Sequence, residues 1–317
     1  MRQKDNRGDF GKTRRPPAGK KHGKPEKKPG FAPRRDGAAA KPAPGAKTGF
    51  GSRPPARSKT APGPHVAAAP QPRRDRGEKP APGAQWLYGI HAVQAALENP
   101  RRRLGRACLT PRAQETLGKL LGRVRVETFD PAGIDKLLPP GAVHQGCALE
   151  AWPLKSRDLD EILNEAKDVR RVVLVLDQLS DPHNVGAILR TAAAFNVTAV
   201  VVQDRNAPPQ SGALAKAASG ALDLIPYVEV VNIARALDDL AKRGFWRIAL
   251  AGDGDMTLAE ATPEGDVALV LGSEGDGIRR LVREHCEAAA YIPIESRMES
   301  LNVSNAAAIA LYEMRRG

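Results

Sequence analysis

Hydrophobic and polar positions follow two regimes along the 317 residues. From Gln85 onward apolar residues recur at helix and strand periods; before it they do not. WLYGIHAVQAALEN (Trp86 to Asn99) takes helical spacing after Gly89, and Asn99-Pro100 stops it. RACLT (Arg106 to Thr110) reads as a short strand, Ala113 to Leu121 as a helix, and VRVETF (Val124 to Phe129) alternates as a strand does. GIDKLLP predicts a helical turn and CALEAW (Cys147 to Trp152) a further strand. These elements make a small α/β unit over residues 85–153. A linker, residues 154–168, carries a connecting helix from Leu159 to Ala166.

The second unit covers residues 169–317. VVLVLDQ (Val172 to Gln178) is an unbroken apolar run, as expected of a strand buried on both faces. TAVVVQD, LIPYVEVV, WRIALAG, DVALVLG and AAYIPI are further strands. Helices are predicted over Val185 to Phe195, GALAKAASGAL, Ile233 to Arg243, Ile278 to Cys286 and Leu301 to Arg315. Strands alternating with helices predict an α/β fold, a parallel sheet covered on both faces. No internal repeat is present.

Charge changes the picture of the first 84 residues. They hold 22 Lys+Arg against 6 Asp+Glu, while the rest of the chain holds 27 against 30. All the excess basicity of a chain with net charge +13 therefore lies in this tail. It has 15 of the 27 prolines and no Leu, Ile, Tyr, Trp or Cys, so it cannot bury enough apolar surface to offset chain entropy and is predicted to be disordered. Flexible positive charge attracts a polyanion such as RNA, and Phe10, Phe31 and Phe50 could stack on unpaired bases. A solubilising leader would have the same composition. No stretch reaches the roughly 18 apolar residues of a membrane span, and the charged N-terminus is not a secretory signal. Cys108, Cys147 and Cys286 are far apart with no CxxC. That argues against a disulfide framework and a Cys-based zinc site, and suits a reducing cytoplasm.

Ligands of parallel α/β sheets bind outside the carboxyl ends of strands, and three segments there stand out. In DQLSDPHNVGAILRTAAAF (Asp177 to Phe195), Asn184 takes the expected N-cap position. Gly186 and Arg190 share a helix face, where bare backbone would admit a ligand or another chain. In LVLGSEGDGI (Leu269 to Ile278), Gly272, Gly275 and Gly277 lie between a strand and a helix. There is no P-loop Lys and no GxGxxG, and Glu274 and Asp276 repel phosphate. A ligand with hydroxyls and a positive charge, such as adenosylmethionine, suits this loop better. IPIESRMESLNVSNAAAIALYE (Ile292 to Glu313) is a polar loop and a helix with Ser300, Asn302, Ser304 and Asn305 on its first turn. Each segment alone also has an ordinary explanation: a helix cap, a tight turn with solvated acids, and a capping box from Ser296 to Glu299. His183 is the nearest histidine to a motif but a weak candidate base, since HN before a helix is readily structural, and no metal cluster is evident.

Taken together and in order, NVGAILR, LVLGSEGDGI and IPIESRMESLNVSNAAAIALYE resemble the three motifs of the SpoU (TrmH) family of RNA ribose 2′-O-methyltransferases. The resemblance runs from Val169 to Gly317, and LYGIHAVQAALEN is similar to the start of the family's small substrate-binding domain. DRNAPPQSGALAKAASGALDLIPYVEV and LVREHC resemble the subgroup acting on a guanosine of the peptidyl-transferase centre of 23S rRNA. The basic tail lies outside the resemblance.

The resemblance implies a parallel sheet with a C-terminal trefoil knot (the SPOUT fold), a small RNA-binding domain before it, and a homodimer. It implies S-adenosylmethionine as cofactor, no metal and no membrane, and rRNA as partner, free or in an assembling large subunit. By motif position, Leu271, Gly272, Gly277, Ile292, Ile294 and Leu301 would hold the cofactor. Arg190 would be catalytic, with Asn184, Glu274, Ser300 and Asn302 orienting it and the target ribose, and Glu274 pairing with it. Family analogy has Arg190 remove the 2′-hydroxyl proton. Arginine stays protonated in proteins, so holding the target phosphate or the developing alkoxide is the sounder role. The motifs encode cofactor and reaction rather than target. A tRNA or another rRNA site therefore stays open, as does a non-catalytic RNA-binding assembly factor.

Overall fold

Two β-sheets organise the chain in the computed structural model, which describes residues 79–295 and 297–316. Residues 1–78 of the basic tail, and Ser296 of the expected capping box, lie outside the described residues. The last part of the tail belongs to the fold. Ala81 N donates to Glu150 Oε1 (2.5 Å), Trp152 Nε1 donates to the Pro82 carbonyl (3.2 Å), and Ala84 is buried. The described fold therefore takes in residues before the expected Gln85. This Pro/Gly stretch docks through backbone groups, which hydropathy does not register.

The first sheet comprises β1 (Gln85–Tyr88), β2 (Leu104–Leu109), β3 (Arg125–Thr128) and β4 (Cys147–Ala151), in the order β1-β4-β2-β3. β4 runs antiparallel to both β1 and β2, and β3 runs parallel to β2. The connections are α1 (Ile90–Glu98), α2 (Pro111–Leu117) and α3 (Pro131–Asp135). The helix expected to reach Leu121 stops at Gly118, whose positive φ (48°) turns the chain into a 3-10 segment.

The chain crosses through α4 (Leu159–Glu165) into β5 (Val172–Leu176), α5 (Pro182–Ala194), β6 (Ala199–Gln203), α6 (Gly212–Ala217) and α7 (Ala221–Leu224). It continues through β7 (Tyr227–Val230), α8 (Ile233–Lys242), β8 (Trp246–Leu250), β9 (Met256–Thr257) and α9 (Leu258–Ala261). It ends with β10 (Val267–Leu271), α10 (Arg280–Arg283), β11 (Ala288–Tyr291) and α11 (Val303–Arg315). The seven strands lie in the order β7-β6-β5-β10-β8-β11-β9, every pair parallel. VVLVL and VALVL are buried at every position because each face of the sheet meets helices. Val172, Leu174 and Leu176 pack on one side with residues of α5, α6 and α11; Val173 and Val175 pack on the other with α4 and α8.

Several expected helices are redrawn. α5 begins at Pro182 with Asp181 as its cap, accepting from His183 N (3.0 Å), so Asn184 is the third helical residue and not the cap. Proline prefers the first helical position and so moves the cap upstream. Gly186 does not face a ligand. A Cβ there would lie 2.4 Å from Ala217 Cβ, so its bare backbone lets α6 pack closely. GALAKAASGAL is two helices, broken at Ser219 (φ 50°) and Gly220 (φ 95°), where α1 comes within 2.9 Å of a Cβ built on Gly220. α11 starts at Val303, capped by Asn302, which leaves Ser300 in the preceding loop.

One apolar cluster runs through both sheets, from Leu87, Leu97 and Leu149 to Leu174, Leu214 and Leu222. Within this junction Asp223 accepts from Arg102 Nε and Nη2 (both 2.8 Å) and from Asn99 Nδ2 (3.0 Å), with the ion pair's side chains 1% exposed. Arg102 Nη1 donates onward to the Trp152 carbonyl (3.0 Å). Breaking such a pair strands a buried charge, whereas removing both charges does not. Asp223→Ala should therefore cost about 3–5 kcal/mol in urea unfolding, and Arg102→Met with Asp223→Leu should recover most of it. A double variant as unstable as Asp223→Ala would show that the pair is not what joins the sheets.

Candidate active site

The carboxyl ends of β8, β10 and β11 open on a cleft of about 730 Å³. Its floor is the loop after β10. Ser273 and Gly277 exchange two backbone hydrogen bonds (3.1 Å each), closing the loop on itself. Gly275 (φ 96°) and Gly277 (φ 68°) allow that closure. Gly272 has another reason to be glycine, because a Cβ there would sit 2.2 Å from the Gly277 carbonyl carbon.

Leu271, Gly272, Gly277, Ile292, Ile294 and Leu301 all line this cleft, together with Glu274 and Ser300. The wall from β8, Leu250 to Asp253, was not anticipated. It also follows a buried strand, but only the sheet order, with β8 beside β10, brings it to the site. Arg283 Nη1 donates to both oxygens of Asp253 (2.8 and 2.7 Å), and this bonding holds the Asp253 carboxyl below the usual range.

The lining carries the acids Asp253, Glu274, Asp276 and Glu299 against Arg283. Ser273 Oγ is buried with no hydrogen-bond partner among the described residues. An acidic lining, an apolar wall of leucine and isoleucine, and an unpaired hydroxyl fit a ligand with a cationic centre, hydroxyls and a flat apolar ring. S-adenosylmethionine has these features, whereas a phosphate would meet carboxylates.

At the rim, Glu274 Oε1 accepts from Asn302 Nδ2 (2.7 Å), Asn184 Nδ2 (3.2 Å) and Val303 N (3.3 Å). Asn302 Nδ2 also donates to Asn184 Oδ1 (3.0 Å), while Asn302 Oδ1 accepts from Ser304 N (2.9 Å) at the start of α11. The three sequence segments thus meet at one carboxylate, which is also favourably placed at a helix N-terminus.

Arg190 is outside this cluster. It is exposed on α5, does not line the cleft, and has no hydrogen bond or ion pair among the described residues. The expected Glu274–Arg190 pair is absent, and two asparagine amides occupy the carboxylate instead. Six residues of helix carry Arg190 about 9 Å along the axis and two-thirds of a turn away from Asn184. His183 is exposed, with its backbone amide bonded to Asp181. Burial pushes the Cys147 thiol up to about 11 and the Cys286 thiol up to about 12, so neither offers a thiolate nucleophile at neutral pH. Among the described residues no group of three His, Cys, Asp or Glu could hold a metal ion. None of their helices is long and apolar enough to cross a membrane.

Comparison with known proteins covers both sheets. Residues 171–312 match the SpoU rRNA Methylase family, and residues 86–157 match the RNA 2′-O ribose methyltransferase substrate binding family. The 23S rRNA (guanosine-2′-O-)-methyltransferase RlmB of Xanthomonas campestris is 40% identical over 246 residues, 73% of this chain and 96% of that protein. RlmB of Pseudomonas aeruginosa is 38% identical over 244 residues, 74% of this chain and 97% of that protein. Among solved structures, the SpoU methyltransferase AviRb from Streptomyces viridochromogenes in complex with AdoMet shares the fold. The match has a TM-score of 0.63 at 22% identity, over 74% of this chain and 90% of that one. Because the match to both RlmB proteins spans almost their whole length, small sheet and parallel sheet alike, the chain belongs to the SpoU rRNA methylase family.

Proposed function

We propose that this protein transfers a methyl group from S-adenosylmethionine to the ribose 2′-oxygen of a guanosine in 23S rRNA. The observation that carries the reading is the convergence of Asn184, Glu274 and Asn302 at the rim of an acidic, glycine-floored cleft. The guanosine target rests on the likeness to the two RlmB proteins.

When bound, the cofactor supplies an electrophilic methyl carbon on a sulfonium. The acidic lining holds the positive charge, the apolar wall receives the adenine, and the closed Gly272–Gly277 loop excludes water. Asn184, Glu274 and Asn302 present amide and carboxylate groups to the incoming ribose, with Ser300 on the same lining. Arg190, free of partners among the described residues, holds the target phosphate or the developing alkoxide, while the 2′-hydroxyl proton leaves to phosphate or water.

In this reading the chain after β10 is tied in a trefoil knot, consistent with β10 lying between β5 and β8 in the sheet. The small sheet selects the rRNA hairpin, free or in an assembling large subunit, and the basic tail adds salt-dependent affinity. The protein acts in the cytoplasm, which suits three cysteines that form no disulfide. It works as a homodimer through α11, where Ile309 and Tyr312 are 42% and 57% exposed one turn apart.

With labelled S-adenosylmethionine and deproteinised large-subunit rRNA, primer extension should show one new stop at a peptidyl-transferase guanosine. Arg190→Ala should abolish that stop while calorimetry finds cofactor affinity unchanged. Methyl transfer only to tRNA would correct the target; RNA binding without any transfer would sink the enzymatic reading. Gly272→Ala, which drives a Cβ into Gly277, should weaken cofactor binding about tenfold or more, the scale of overpacking. An unaltered affinity would remove the cofactor from this cleft. Tyr312→Glu should convert a dimer to a monomer in sedimentation; a wild-type monomer would refute the dimer.

A further inference from the structure

Asp177, just after β5, is fully buried, and nothing in the proposed chemistry uses it. A carboxylate out of water is costly unless its oxygens are satisfied. Here Oδ1 accepts from Arg279 Nε (2.8 Å) and Nη2 (2.6 Å), and Oδ2 accepts from the Arg279 backbone amide (2.9 Å). The Asp177 amide donates to the Leu271 carbonyl (2.8 Å). All four bonds go to the two ends of one loop. Leu271 is where the chain enters the Gly272–Gly277 segment, and Arg279 is just beyond where it leaves.

Three glycines make that segment intrinsically permissive, and its own closure is the single Ser273–Gly277 bridge. The closure fixes the loop's shape but not its position on the sheet. Glu274 ties the loop's middle to α5 and α11, and Asp177 fixes where its two ends sit against the sheet. Through residues 178–181 it also leads directly into α5, which carries Asn184 to Glu274. Burial alone does not explain the choice, since an apolar pair of equal volume stabilises a core as well as a buried ion pair does. What the carboxylate adds is direction: three accepted bonds aimed at one arginine, including its backbone.

We infer that Asp177 is a positioning residue of the cofactor cleft, holding the Gly272–Gly277 loop at the spacing the cofactor requires. The inference rests on the reading that this cleft takes S-adenosylmethionine.

The test uses the full chain with two variants. Asp177→Asn is isosteric but turns one acceptor into a donor, and Arg279→Lys keeps the charge and the backbone amide but loses the guanidinium fork. Each should weaken S-adenosylmethionine binding in calorimetry by about tenfold or more, the scale of a small misplacement. The double variant should be no weaker than the worse single one, because both break the same contact. RNA affinity in filter binding should stay unchanged. Hydrogen exchange at the Ser273 and Gly277 amides should accelerate, while amides of the first sheet keep their rates. A merely structural role would instead lower the thermal midpoint and speed exchange across the sheet, with native cofactor affinity in the folded protein. That outcome, or losses that add in the double variant, overturns the inference. Should the wild-type chain bind no S-adenosylmethionine, the cofactor reading fails by itself. The exchange rates still decide whether Asp177 holds the loop.

Discussion

The Glu274 carboxylate is the contact on which the rest of the site depends. One oxygen accepts from Asn184, Asn302 and the Val303 amide, residues up to 119 positions apart in the chain. It closes the glycine loop over the start of α11 and ties both to α5. The sheet makes this possible. Because all its strands are parallel, the ends of β5, β10 and β11 emerge on one edge, and their loops compete for the same space. Glycine at 272 and 277 lets the middle loop fold tightly enough for its acid to reach the rim.

The second constraint is the junction between the two sheets. Asp223 on α7 takes its partners from Asn99 and Arg102, beyond α1. Lys216 of α6 donates to Gln145 Oε1 (2.7 Å), and where a side chain would collide Gly212 admits the backbone of β1 and Gly220 that of α1. These contacts are directional as well as apolar. They fix the orientation of the small sheet to the cleft, as the proposed selection of RNA by that sheet requires.

Much of this was legible in the sequence, for identifiable reasons. Strands such as Val172–Leu176 and Val267–Leu271 are continuous apolar runs, and burial on both faces leaves no other reading. That the expected cofactor positions would line one cleft was legible because one loop and the segment after β11 supply most of them, and a motif preserves local spacing. Failures occurred where geometry depends on partners distant in sequence. Gly186 looked like a ligand face because Ala217 is not visible from its neighbourhood. Glu274 and Arg190 are opposite charges in adjacent motifs, yet helix geometry turns Arg190 away while asparagines reach the carboxylate. Asp177 and the β8 wall were missed for the same reason, since sheet order rather than sequence order places them.

The charges make a division that the proposed chemistry needs. Four acids line the cleft, while the exposed surface of α5 carries Arg190, a guanidinium with no partner among the described residues. A cationic cofactor is drawn into the cleft by the same field that repels an RNA phosphate from it. In the proposed reading the sugar–phosphate backbone stays at the rim and only the ribose hydroxyl faces inward. An arginine bonded to Glu274 would have neutralised both halves of that arrangement. Satisfying Glu274 with neutral amides keeps the cleft acidic and leaves Arg190 without a partner among the described residues. In-line attack of a 2′-oxygen on a sulfonium methyl builds negative charge on the oxygen, which is the charge the proposed role of Arg190 answers, while the acids of the cleft act earlier, in binding the cation.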